Sequence, residues 1–175
     1  MKGLLTLITS VEMPLSVLYI SFGVLALVIV VGLYSPRVAD KKRLVCWALL
    51  VEYLFLVVCV AVVFRPTLPV RHLHLTPLWV YTDFMTIHPN EAVRDIVINL
   101  LLFLPVGALL AGINPSLQWY KVLLIGLACS LTIEVLQYIF LRGVAQTDDL
   151  IHNAVSCLVG WGVARGVVNL SNHNH

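Results

Sequence analysis

Long apolar runs with few charges dominate the hydrophobic pattern of this chain. They define five candidate membrane spans, at residues 14–34, 44–64, 95–113, 122–141 and 150–168. Each run is long enough to cross an apolar layer of about 30 Å as a helix. None of them alternates between polar and apolar residues as the strands of a membrane barrel do. We therefore predict an all-α polytopic membrane bundle of five transmembrane helices.

The composition agrees with this pattern and excludes two broad classes of protein. The 175 residues are 60% hydrophobic and 11% charged, whereas soluble domains average about 25% charged residues. A water-soluble globular domain is therefore excluded, and the length leaves room for one membrane domain. The net charge of +2 gives no concentrated basic surface of the kind that nucleic-acid binding needs. We predict no nucleic-acid partner.

The positive charges predict domain organisation and orientation. Residues 1–43 form an N-terminal transmembrane helix and a basic loop, residues 44–168 form the main membrane domain, and residues 169–175 form a disordered tail. The loop holds Arg37, Lys41, Lys42 and Arg43 against Asp40, and short basic loops stay cytoplasmic. We therefore predict a multi-pass protein of the cytoplasmic (inner) membrane, with its N-terminus outside and its C-terminus inside.

The outer loop at residues 65–94 contains four prolines and no segment that we expect to pack a core. Its two apolar pieces, residues 73–81 and 84–87, are expected to be interfacial or re-entrant, because lipid-exposed irregular backbone is not tolerated.

Polar residues recur on one face of each of the last three spans. Ionisable groups inside a membrane cost a few kcal/mol or more, so they turn inward and often mark function. Residues three or four apart share a helical face. The three cofacial pairs are Asp95 with Asn99, Glu134 with Gln137, and Asp149 with Asn153. Three helices therefore each present a polar stripe.

These stripes are expected to converge, since the second and fourth interhelical loops lie on the same side of the membrane. Glu134 would lie roughly 10 Å from its helix end, at 1.5 Å per residue, and would form the floor of an outward-facing pocket. Asn99, Gln137 and Asn153 would line its walls. The rim would contain Arg94, Arg142, Asp148 and Asp149. His152 is a further candidate for the lining, and we predict no metal or cofactor.

A purely structural interpretation competes for the same residues, because polar side chains also join helices at about 0.6 kcal/mol each. Small residues predict close packing among spans three to five, with spans one and two more peripheral. Gly162 and Gly166 form a candidate homodimer face. Glu52, in the second span, has two open roles: a salt bridge within the bundle or a contact with the basic loop.

The polar pattern resembles the VanZ-like family of bacterial membrane proteins over about residues 45–168, so the first span lies outside the resemblance. A proline motif at Leu75-Thr76-Pro77-Leu78 is similar to one in the family. The segments that carry the rest of the resemblance are Asn99-Leu-Leu-Leu-Phe103-Leu-Pro105-Val-Gly107, Ser130-Leu-Thr-Ile-Glu134-Val-Leu-Gln137, Arg142, Asp148-Asp149 and Asn153.

The resemblance implies a functional set and a role at the cell envelope. The family's founding member is associated with resistance to the lipoglycopeptide teicoplanin. By motif position the functional set is Asn99, Glu134, Gln137, Arg142, Asp149 and Asn153. The leading hypothesis is a non-enzymatic protein whose pocket binds a membrane lipid, another envelope amphiphile or a lipoglycopeptide, and which affects teicoplanin susceptibility. One alternative is an intramembrane enzyme acting on a lipid-linked phosphate, with Glu134 or Asp149 as general base and Arg142 steadying the phosphate. The other is a structural partner module.

Overall fold

A computed structural model describes residues 14–35 and 39–173, with side chains described as far as residue 167. The long helices in these ranges are α1 (Leu15–Tyr34), α2 (Lys41–Val58), α3 (Pro89–Ile113), α4 (Trp119–Phe140) and α5 (Thr147–His173). A π-helical turn, Cys59–Val63, extends α2.

Four helices within the described residues are long and apolar enough to cross a membrane: α1, α2 with its π-helical turn, α3 and α4. The chain is therefore a helical membrane protein. Helix α5 has 27 residues but is not one of the four. Polar residues such as His152, Asn153 and Arg165 lower its mean hydropathy, so the fifth span stays a prediction.

Helices α3 and α5 differ most from the predicted spans. Helix α3 begins at Pro89 rather than Asp95, because proline is tolerated at the first helical position and Glu91 suits the positive helix end. Helix α5 runs from Thr147 to His173, so residues 169–173 are helical although we assigned them to a disordered tail. No proline interrupts the chain there. Residues 1–13, 36–38 and 174–175, including Arg37 of the basic loop, lie outside the described residues.

Close approach of α3 and α5 forms the centre of the bundle, with α4 packed against α5. A Cβ atom added at Gly107 would collide with the carbonyl oxygen of Cys157, and one added at Gly160 would collide with that of Leu104. Small residues permit such backbone contact between membrane helices. The predicted close-packed unit of spans three to five is thus confirmed. By contrast, a Cβ added at Gly162 or Gly166 would have no described atom within 4 Å, and the homodimer at this face stays a prediction.

Helix α2 is less peripheral than predicted. The Tyr53 hydroxyl donates a hydrogen bond to the Leu102 carbonyl of α3, at 2.9 Å, and Leu50 and Val57 are buried. Its Val-rich and Leu-rich sequence does not distinguish a lipid-facing surface from a protein-facing one, because both are apolar.

The loops at one end of the bundle contain a short parallel sheet that the sequence did not predict. Strand β1 (His72–His74) pairs with β2 (Val144–Gln146), and Leu73 lies opposite Ala145. Three residues are too few to show the alternation of a strand, and the partners are about 70 residues apart in the chain. Between β1 and α3 lie a π-helical turn, Val80–Phe84, and a helical turn, Met85–Ile87. The outer loop is therefore ordered against the bundle.

Candidate functional site

A cavity of about 410 Å³ lies where the ends of α2 and α4 meet the first turns of α3 and α5. Its volume falls within the range of about 300–1,000 Å³ that small-molecule sites occupy. Five of the six residues proposed from the family resemblance line it. They are Asn99, Glu134, Gln137, Asp149 and Asn153. The convergence expected from the three polar stripes is therefore present in the structure.

Glu134 lies deep in helix α4 and is only 6% exposed. Its Oε2 atom accepts a hydrogen bond from the backbone N–H of Gln146, at 2.9 Å. Gln146 ends strand β2, which pairs with β1, so the unpredicted sheet holds this donor in place. No salt bridge to Glu134 occurs among the described residues.

Amide nitrogen atoms in the cavity wall join the helices to one another. Gln137 Nε2 donates to the Ala61 carbonyl oxygen at 3.1 Å, and Ala61 belongs to the π-helical turn after α2. Asn99 Nδ2 of α3 donates to Asp149 Oδ1 of α5 at 2.5 Å. Asn153 Nδ2 donates to the Ser130 hydroxyl at 2.9 Å. The structural interpretation thus accounts for the amide nitrogens of these three residues.

Amide oxygen atoms in the same cavity are left unpaired. Gln137 Oε1, Gln146 Oε1 and Asn153 Oδ1 are buried and accept no hydrogen bond within the described part of the chain, and all three residues line the cavity. Native proteins rarely leave buried acceptors without a partner. Helix assembly does not explain these oxygens, so the wall of the cavity contains more hydrogen-bond acceptors than donors can satisfy.

Arg65 lines this cavity together with the carboxyl groups, whereas Arg142 does not line it. The Arg142 guanidinium instead donates to the carbonyl oxygen of Arg65. Leu141 ends α4 in the left-handed conformation, at φ 54°, and the backbone N–H of Arg142 bonds back to Gln137. This sharp turn directs Arg142 toward the loop after α2. The placement of Arg142 at the pocket rim was therefore wrong.

Arg65 was missed because the polar stripes lie within the spans, whereas Arg65 comes directly after the second one. Its position at the same end of the bundle as the predicted rim was a usable signal. Arg94 and Asp95, both predicted as supporting residues, do line the cavity. They form an ion pair with each other at 3.1 Å.

Asp148 and His152 lie outside this cavity and line a separate one of about 390 Å³. The Asp148 carboxylate accepts hydrogen bonds from the backbone N–H groups of Leu78 and Val80. His152 Nε2 lies 2.7 Å from the Tyr81 hydroxyl oxygen. Both residues therefore anchor the outer loop to α5. Asp148 points away from Asp149 because consecutive helical residues point about 100° apart, and His152, four residues after Asp148, shares its face of the helix.

Other polar residues take no part in the cavity. Glu52 Oε1 is buried without a hydrogen-bond partner in the described part of the chain. All four cysteines are free thiols. No cluster of three or more His, Cys, Asp or Glu side chains suited to a metal ion occurs among the described residues.

A sequence model of the VanZ/LLP1 family matches residues 44–169 of the chain. This chain belongs to the VanZ/LLP1 family. The matched segment contains every residue that lines the cavity of this VanZ/LLP1 protein, and it leaves α1 outside, as the resemblance implied. No curated protein and no solved structure shows significant similarity to the chain.

Proposed function

We propose that the cavity binds the polar headgroup of an amphiphilic cell-envelope component. By binding it, this VanZ/LLP1 protein would lower susceptibility to lipoglycopeptides such as teicoplanin. The observation that carries the proposal is a cavity lined by Arg65 and by the carboxyl groups of Glu134 and Asp149, in a wall that also contains unpaired, buried amide oxygens.

The lining is suited to a molecule that is polar at one end and apolar at the other. Val57, Val60 and Leu102 supply apolar wall, against which the first segment of an acyl chain can pack. Arg65 is exposed, and its guanidinium makes no hydrogen bond or salt bridge within the described residues. Arginine is well suited to a phosphate at a membrane surface, since its guanidinium forms paired hydrogen bonds with phosphate oxygens.

The proposed orientation places the cavity at the outer face of the cytoplasmic membrane. The basic loop before α2 would then lie in the cytoplasm, and the loops that carry β1 and β2 would lie outside. A headgroup in the outer leaflet can enter such a cavity directly, and envelope-directed antibiotics act at the same surface.

An expression experiment tests the functional role. A host susceptible to teicoplanin would produce the wild type, Glu134→Gln or Thr132→Val at matched membrane levels. Thr132 is the matched control because it lies on the same helix with an exposed side chain. We expect the wild type and Thr132→Val to raise the inhibitory concentration of teicoplanin more than that of vancomycin, and Glu134→Gln to lose this effect. Equal killing of all strains, including one without the protein, would contradict the envelope-antibiotic role.

A further inference from the structure

We infer that the cavity selects a headgroup that carries a primary ammonium beyond its phosphate, as an aminophospholipid does. This inference rests on the proposed function and specifies its ligand class. It comes from the distribution of hydrogen-bonding groups in the cavity. The inner wall contains acceptors, whereas Arg65 supplies donors.

The inner wall of the cavity contains buried acceptors without matching donors. The orientation of the Gln137 amide is fixed, because its Nε2 atom donates to the Ala61 carbonyl oxygen, which can only accept. Ser130 donates its hydroxyl proton to the Asp149 carbonyl at 3.4 Å, so the Ser130 oxygen must accept from Asn153 Nδ2. The free atoms of Gln137 and Asn153 are therefore oxygens. Both side chains are more than nine-tenths buried, at 4% and 3% exposed.

Three carboxyl groups also line the cavity, and because Asp95 is paired with Arg94, those of Glu134 and Asp149 are the two that remain for a ligand. One oxygen of Glu134 accepts a hydrogen bond from the N–H of Gln146, and one oxygen of Asp149 accepts from the Asn99 amide. The second oxygen of each carboxyl group accepts no hydrogen bond from these donors. Neither makes a salt bridge within the described residues. A primary ammonium provides three donors and a positive charge, so it complements both the free oxygens and the carboxylates. Hydroxyl groups provide donors without charge, and a trimethylammonium provides charge without donors.

Arg65 is placed for the adjoining phosphate. Its guanidinium lies against Gly143, where an added Cβ would be 2.9 Å from Nη1. The absence of a side chain at Gly143 therefore makes room for the guanidinium beside the cavity. Phosphate and ammonium are neighbours in a zwitterionic headgroup, so one ligand satisfies both parts of the lining.

A binding experiment with three short-chain lipids separates these features. The purified full-length protein in detergent would be titrated with phosphatidylethanolamine, phosphatidylcholine and phosphatidylglycerol of equal chain length, and bound lipid counted by native mass spectrometry. We expect the ethanolamine lipid to bind at least about tenfold more tightly than the other two, since hydrogen bonds to charged groups contribute about 1.5–3 kcal/mol. Free phosphoethanolamine would be tested as a fourth ligand. If it binds with the same affinity as the ethanolamine lipid, the ligand is a soluble molecule rather than a lipid.

Two variants assign the two parts of the headgroup. Glu134→Gln keeps an acceptor for the Gln146 N–H, so it preserves the fold contact, and we expect it to abolish the preference for ethanolamine. Arg65→Gln should weaken the binding of all three lipids to a similar extent, while Thr132→Val should bind them as the wild type does.

The outcomes distinguish this inference from the proposed function. Equal binding of the three lipids would overturn the ammonium inference. So would a preference for the glycerol or choline lipid that Arg65→Gln weakens. Both results would still support binding of an amphiphile. Failure of the folded wild type to bind any lipid would overturn both. A preference for ethanolamine that survives Glu134→Gln would also overturn the assignment of the ammonium to the carboxylate.

Discussion

Removing the Asp148 carboxylate should destabilise the protein through the outer loop rather than through the cavity. Asp148 is 2% exposed and accepts backbone hydrogen bonds from Leu78 at 2.5 Å and Val80 at 2.8 Å. Hydrogen bonds to a charged group contribute about 1.5–3 kcal/mol each. Val80 is buried, whereas Leu78 is 52% exposed, so only the N–H of Leu78 can regain water in the variant. We therefore expect Asp148→Ala to cost about 2–4 kcal/mol.

The measurement is the free energy of unfolding of purified protein in detergent micelles, together with limited proteolysis of the loop. Leu78 has a positive φ of 63°, a conformation that costs a non-glycine residue about 1–2 kcal/mol. Loss of its anchor should release the segment and speed its cleavage. Asp148→Asn retains one acceptor oxygen and should lose about half as much stability.

Asp83→Ala is the matched control, because Asp83 lies in the same loop segment with an exposed side chain. It should change stability by no more than about 0.5 kcal/mol. If Asp148→Ala unfolds at the same free energy as Asp83→Ala and resists protease equally, the anchoring role of the carboxylate is refuted.

Two further predictions concern packing and sidedness. Gly107→Ala should destabilise the bundle by at least about 2 kcal/mol, because its Cβ would meet the Cys157 backbone. Gly162→Ala, which has open space, should be neutral in the same unfolding assay, and equal effects would count against the close approach of α3 and α5. A membrane-impermeant thiol reagent applied to intact cells should label Thr76→Cys above the wild-type background but not Ser116→Cys. The reverse labelling pattern would invert the proposed orientation.

The sequence alone predicted the membrane class, the helices and most of the polar residues that line the cavity. Apolar runs of 20 residues are a local property, and a polar stripe is a property of one helix. Both can therefore be identified in the sequence without knowing which segments pack against them. Helical periodicity was sufficient to group Asp95 with Asn99, Glu134 with Gln137, and Asp149 with Asn153.

Tertiary structure decided which charged groups line the cavity with these residues. Arg142 and Arg65 follow helix ends, where the direction of a side chain depends on the turn that the backbone makes. The left-handed Leu141 directs Arg142 to the loop and leaves Arg65 on the cavity wall. Asp148 and Asp149 are neighbours in sequence, yet one anchors the outer loop and the other lines the cavity.

Pairing between distant segments could not be predicted from the sequence either. Strands of three residues carry no periodic signal, and the β1–β2 ladder joins segments on either side of two long helices. The N–H of Gln146 that meets Glu134 and the Ala61 carbonyl that meets Gln137 are backbone atoms, and every residue except proline carries both kinds of group. The sequence therefore determined which side chains require partners inside the membrane, and only the folded chain determined which backbone atoms satisfy them and which oxygens remain free.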